Sequence, residues 1–188
     1  LSAPHAPFIQ AIGVTIMPLE FLTETKAKLI DVNPRSEKRG PVDLVSAVDL
    51  RLQVDTTNAA LEQLHPELCA WLYTESKQAQ LPLPEQSPAS TELRFPDLGF
   101  PLHWGSETSG YSLLISTGIS DTPDIQLHGC KVHKVALSAK TGGTVQLFFT
   151  VSCSQGVTRA EVGELGTRVQ HDVWFSLLQA EVAESEPD

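Results

Sequence analysis

Between Val42 and Val54 apolar and polar side chains alternate, with Val48, Leu50, Leu52 and Val54 interleaved by Asp49, Arg51 and Gln53. A period of two places one set on a buried face and the other on a wet face, which predicts a β-strand. Upstream the alternation is blurred. Thr23, Thr25, Ala27, Leu29 and Asp31 alternate with Leu22, Glu24, Lys26, Lys28, Ile30 and Val32. Asn33 to Pro41, which holds Pro34, Gly40 and Pro41, reads as a polar connection. The apolar stretch from Phe8 to Met17 reads as a first strand or as an arm packed elsewhere.

After Asp55–Asn58 the period changes to that of a helix, with Leu61, Leu64, Leu68, Trp71 and Leu72 on one stripe. Pro66 is expected to kink this helix or to start a second one. Trp71 and Tyr73 are expected to pack in the core. From Lys77 to Phe100 the prolines Pro82, Pro84, Pro88 and Pro96 argue against regular structure, leaving a long exposed connection.

The second half is strongly β. Strands are expected at Tyr111–Thr117, at Ile125–Leu137 with an interruption at Gly129, at Thr144–Cys153 and at Val173–Leu178. Asp121–Asp124 forms a turn, and Gly142-Gly143 supplies the positive φ of a tight hairpin. Thr158 and Glu161 have the spacing of a capping box, followed by Val162, Leu165 and Val169 on one helix face. Glu181 to Asp188 is an acidic tail.

These elements predict an α+β or mainly β fold: an antiparallel β-sandwich or open barrel with two short packed helices. The organisation expected is a β-rich half with a helix over 1–76, a Pro-rich connection over 77–105, an antiparallel half with a helix over 106–180, and the tail at 181–188. The halves form one compact domain or two small, similar sub-domains.

The chain has 188 residues, enough to bury a core without metal or disulfide staples. A net charge of −10 argues against non-specific nucleic-acid binding over the whole surface, while leaving room for a local basic groove. No stretch reaches the ~18 apolar residues of a membrane span. The apolar start is broken by Pro4, Pro7 and Pro18 and lacks a basic leader segment, so a cytoplasmic protein is expected. Three cysteines without a CxxC pair fit a reducing compartment, with the thiols packing as small apolar groups. A pairing of Cys130 with Cys153 across a hairpin is the alternative.

Candidate chemistry is sparse. His128, Cys130 and His133 are metal-ligand types within six residues. On a regular strand, however, His128 and Cys130 share a face that His133 does not, unless Gly129 bulges the strand. The reading is therefore a surface strand without a metal, and no cofactor is expected. There is no nucleophile elbow, phosphate loop or dinucleotide fingerprint, so no catalytic residue is assigned and the chain is read as a non-enzyme. Lys26, Lys28, Arg35, Lys38 and Arg39 make one basic stretch, and Lys131, Lys134 and Lys140 another. Single-strand binders combine such cations with aromatic platforms. Trp104 is one such platform, and Phe148 and Phe149 point to opposite faces of their strand.

Three stretches taken together, Val48–Tyr73, Leu93–Leu98 and Asp124–Lys134 with Gly142–Leu147, resemble a group of uncharacterised proteins carried by tailed phages and prophages of proteobacteria. Their resemblance to genes near replication and recombination functions implies an accessory role in DNA metabolism. The expectation is a non-enzymatic protein binding single-stranded DNA, or a protein that does, through Lys131, Lys134, Lys140 and Trp104. An acidic inhibitor of a host defence complex and a virion assembly protein, self-associated as a homo-oligomer, are the alternatives.

Overall fold

The computed structural model describes residues 19–41, 43–75, 90–118 and 123–179. The segment from Phe8 to Met17, most of the Pro-rich connection, part of the Asp121–Asp124 turn and the acidic tail lie outside these residues. Among the described residues no helix is long and apolar enough to cross a membrane.

Strand β1 (Phe21–Arg39) turns at Gly40 (φ +77°) into β2 (Asp43–Thr57). A 3-10 turn (Asn58–Ala60) leads into α1 (Leu61–Leu64) and α2 (Leu68–Leu72). Two short strands, β3 (Tyr73–Glu75) and β4 (Ser90–Leu93), pair with each other. There follow β5 (Leu102–Trp104), β6 (Thr108–Ser116), β7 (Ile125–Lys140), β8 (Thr144–Cys153), α3 (Arg159–Thr167) and β9 (Asp172–Gln179).

Six antiparallel strands close on themselves in the order β7-β6-β9-β1-β2-β8, with β8 pairing back to β7. The fold is thus mainly β, a barrel with a few short helices. The two strands from before the Pro-rich connection, β1 and β2, are adjacent in the ring and are held between β9 and β8 from after it. β7 makes closure possible. Its first half pairs with β6 and its second with β5 along one edge, while β8 runs along the other. Closure removes the open edges through which a sheet would aggregate, except along the outer part of β1 beyond its pairing with β9.

The alternating apolar residues point inward. Leu50, Leu52 and Val54 are wholly buried, as are Leu113, Ile115, Leu147 and Val151. Full burial of such a side chain contributes roughly 1.5–3 kcal/mol. The rings of Phe21, Phe149 and Phe175 meet at centroid distances of 5.9, 5.1 and 6.1 Å. α1 and α2 cap the end of the barrel at the β7–β8 turn by inserting Leu61, Leu64 and Leu72. Tyr73 anchors this cap. Its buried ring carries a hydroxyl at 3.0 Å from the Lys140 carbonyl and 2.8 Å from that of Thr144, and accepts the Lys140 N–H at 3.1 Å. The β7–β8 turn passes through Gly142 and Gly143 at φ +93° and +75°, as the Gly-Gly pair requires. The Thr158–Glu161 capping box is formed, and α3 buries Leu165.

Several expectations are corrected. Asn33–Arg39 is not a connection but the outer part of β1, since each of its residues faces one of Asp43–Asp49. Pro34 is tolerated because β1 pairs with β9 only as far as Lys28, leaving Pro34 on a free edge. Likewise Ser90–Leu93 forms a strand inside the Pro-rich region, where the intervening prolines fall outside it. The helix begins later than Asp55, because β8 holds β2 in register as far as Thr57.

Trp71 is half exposed rather than core. Two helices broken at Pro66 cannot present a single stripe, and Leu68 and Leu72 already occupy the inward face of α2. Cys130 and Cys153 are joined by a disulfide, so they are not packed as free thiols. The register explains the pairing, because Lys131 faces Ser152 and the next positions face each other across β7 and β8. Finally, Gly129 (φ +60°) lies in a bulge where β7 spends one residue more than β6. The bulge turns His128 outward while Cys130 points in, separating two residues that a regular strand would place together.

Candidate functional site

The outer face of the barrel carries a cleft of about 450 Å³ across β1, β2, β8 and β7, walled on one side by β5. Its floor holds Asp31 and Asn33 from β1, Asp49 and Arg51 from β2, and Phe148 and Thr150 from β8. These are the outward-facing residues of the same alternation that builds the core, with Thr150 buried among them. Its wall holds His103 and Trp104 from β5 and Lys134 from β7. The volume is that of a small-molecule or single-nucleotide site rather than a protein groove.

Lys134 reaches the cleft through a second bulge. Between His133 and Ala136, β7 spends three steps against two on β8, and Lys134 adopts φ +53°. A non-glycine residue in the left-handed region costs about 1 kcal/mol. The bulge re-aims a side chain that regular pleating would direct elsewhere.

Beside the cleft a polar chain crosses four strands, β1, β2, β8 and β7. Arg35 Nε donates to Asp49 Oδ1 at 3.0 Å, and Ser152 Oγ donates to the same oxygen at 2.6 Å. His133 Nε2 lies 2.7 Å from Ser152 Oγ. Since the hydroxyl hydrogen goes to Asp49, the same oxygen accepts from His133 Nε2–H. The order is Asp–Ser–His, with serine in the middle. A hydrolytic triad needs histidine between the other two, free to take the serine proton. The arrangement instead locks the bulged part of β7 to β8 and β2.

Burial pushes the Asp49 carboxyl up, but hydrogen bonds from Ser152 and Arg35 outweigh it and hold it below the usual range. Burial, then the charges of Lys131 and Lys134, push the His133 imidazole below its ordinary value, against the opposing pull of Glu107 and Asp49. A neutral His133 agrees with its place as a single donor to Ser152.

Of the four sequence-predicted contacts, Lys134 and Trp104 come together in the cleft. Lys131 forms an ion pair with Glu107, and Lys140 reaches Asp55 at 3.4 Å; neither lines the cleft. The first basic stretch is also partly neutralised, Lys26 by Asp172 at 2.8 Å and Arg35 by Asp49 and Glu37. Among the described residues neither Lys134 nor Arg51 has an ion-pair partner. Phe149 is core and Phe148 half-exposed on the cleft floor, as their opposite faces required.

His128 and His133 are engaged by Ser112 and Ser152, and the sulfur of Cys130 is held in the disulfide. Among the described residues no cluster of three metal-ligating side chains occurs. Sequence reasoning missed Arg51 and His103 as cleft residues. Arg51 was legible as a wet-face residue of β2; His103 depended on β5, which is only three residues long. Compared with protein-family models, curated proteins and solved structures, the chain matches none.

Proposed function

We propose that this chain is a non-enzymatic accessory protein of DNA replication or recombination that binds single-stranded DNA in the Trp104–Lys134 cleft. The observation carrying the reading is the meeting of an aromatic side chain and two unpaired cations in one base-sized concavity of a chain with net charge −10. Stacking on an aromatic face is tolerant of sequence, and a nearby cation meets the phosphate. Asp31 stands opposite Arg51 in the β1–β2 register, so Lys134 is the principal phosphate contact. The role agrees with the resemblance to phage and prophage proteins, and it places the protein in the host cytoplasm. There the Cys130–Cys153 disulfide, sealed in the barrel, is shielded from thiol attack, whose rate depends on access.

Fluorescence anisotropy with labelled single- and double-stranded oligonucleotides over a salt series tests this. Salt-sensitive binding to single strands is expected, and Lys134→Ala should lower the slope of log K against log salt by about 0.7, the value of one single-strand phosphate contact. Lys131→Ala and Lys140→Ala should have less effect. No binding at low salt sinks the reading.

A second reading, an acidic inhibitor that docks on a basic protein surface, draws on the neutralisation of Lys131 and Lys140 by carboxylates. Pairing leaves the surrounding surface acidic, which steers association with cations. Absence of DNA binding, together with a salt-sensitive complex with a basic protein, would favour it.

A further inference from the structure

Two more depressions adjoin the cleft, each sharing a tryptophan with the one before. Trp104 also lines a hollow of about 460 Å³ with His65, Leu68 and Trp71. Trp71 in turn lines a hollow of about 390 Å³ with Arg94, Phe95, Pro96 and Leu98. The rings are close along the row: His65 to Trp104 at 6.4 Å and Trp71 to Phe95 at 5.4 Å between centroids. Trp71 is 50% exposed and Phe95 43%, unusual for side chains of this size outside a contact surface.

The scaffold fixes the row. Leu72, one residue after Trp71, is buried in the cap, and its carbonyl accepts the Arg94 N–H at 2.9 Å. The end of the β3–β4 hairpin is thereby held against α2, and Phe95 against Trp71.

We infer that the binding track continues from the Trp104 cleft across Trp71 to Phe95, so that the protein holds a strand of several nucleotides. The inference rests on the single-strand reading of the cleft. Charge favours a nucleic acid over an apolar peptide as the occupant. Arg94 at the far end, like Lys134 and Arg51 at the near end, is exposed or reaches the cleft, with no ion-pair partner among the described residues. Cations thus stand at both ends of the aromatic row. Glu67 and Asp97 lie on the rims of the two outer hollows. They keep phosphates off the middle of the row and leave it to the bases.

The test compares anisotropy of a labelled deoxythymidine dinucleotide with that of an oligomer of about 12 nucleotides, within the range of about 4–16 covered by single-strand barrels. Wild type should bind the longer strand more tightly. Trp71→Ala and Phe95→Ala should each weaken the longer strand by about tenfold, the loss of one stacked base, and leave the dinucleotide unchanged. Trp71→Phe should restore most of the loss, because it keeps an aromatic face. Trp104→Ala should weaken both lengths. Far-ultraviolet circular dichroism of each variant checks that the barrel is intact. If both lengths bind wild type but neither Trp71→Ala nor Phe95→Ala affects the longer one, the track is overturned and the cleft stands. If wild type binds neither length, the cleft reading itself fails.

Discussion

Ser152 gives its only hydroxyl hydrogen to Asp49, at 2.6 Å, and so can serve His133 only as an acceptor. That direction decides how the polar chain responds to pH. The folded pKa of His133 lies below the value of about 6.5 expected in the unfolded chain. As pH falls, the unfolded state takes up this proton first. Stability therefore declines from about pH 6.5 down through the folded pKa and is level below it. Asp49 is shifted the same way from a lower start. Its contribution is present above about pH 4 and is lost as pH falls through its folded value. Denaturant unfolding at several pH values should show both declines. His133→Gln should flatten the upper one while leaving the lower, and an unchanged profile would remove His133 as its source.

Lys134 should separate stability from binding. Its φ of +53° is comfortable only for glycine. Lys134→Gly is expected to keep or raise stability, by up to about 1 kcal/mol of relieved strain, read as an unchanged or higher melting temperature, while weakening oligonucleotide binding as much as Lys134→Ala does. Thermal denaturation and anisotropy on the same samples check this. A destabilised glycine variant would show that the lysine side chain, rather than the bulge, holds the backbone there.

Tyr73→Phe removes a hydroxyl that meets the Lys140 and Thr144 carbonyls and leaves the buried ring in place. Losing those hydrogen bonds and leaving the Lys140 N–H unmet should cost about 1–3 kcal/mol, read as a lower urea midpoint with an unchanged slope. The β7–β8 turn should also exchange its amide hydrogens faster in the variant.

Reduction of the Cys130–Cys153 bond frees a loop spanning 23 residues. The chain-entropy argument gives a loss of about 3 kcal/mol. Because both sulfurs are buried, a folded sample should react slowly with reductant and quickly once denaturant is added. Thiol titration over time distinguishes the two. Cys69, half-buried with its thiol pushed up by burial and then by Glu62, should react only weakly at neutral pH.

The inward half of the barrel was legible wherever alternation was clean. Val48 to Val54 has the faces its period predicts, and Phe148 and Phe149 lie on opposite faces of β8. Closure was not legible, because nothing local in β7 says that it will carry β5 and β6 on one edge and β8 on the other. The two bulges were hidden for the same reason. Gly129 gave a hint, but Lys134 has no sequence mark of a left-handed residue. In the site, Lys134 and Trp104 could be nominated by residue type alone. Setting aside Lys131 and Lys140 required their partners Glu107 and Asp55, which are distant in sequence from the lysines they neutralise. Trp71 looked like core because the helical stripe was read straight through Pro66.

The pairing of β1 with β9 has a consequence for how the molecule comes into being. Local hairpins such as β1–β2 and β7–β8 can assemble as soon as their own residues are available. The ring cannot shut until β9 arrives to bridge β6 and β1, so until then a ribosome-bound chain carries an open, half-apolar sheet. Non-local pairing of this kind folds slowly, and the last strand to emerge is the one that hides the hydrophobic interior from the crowded cell.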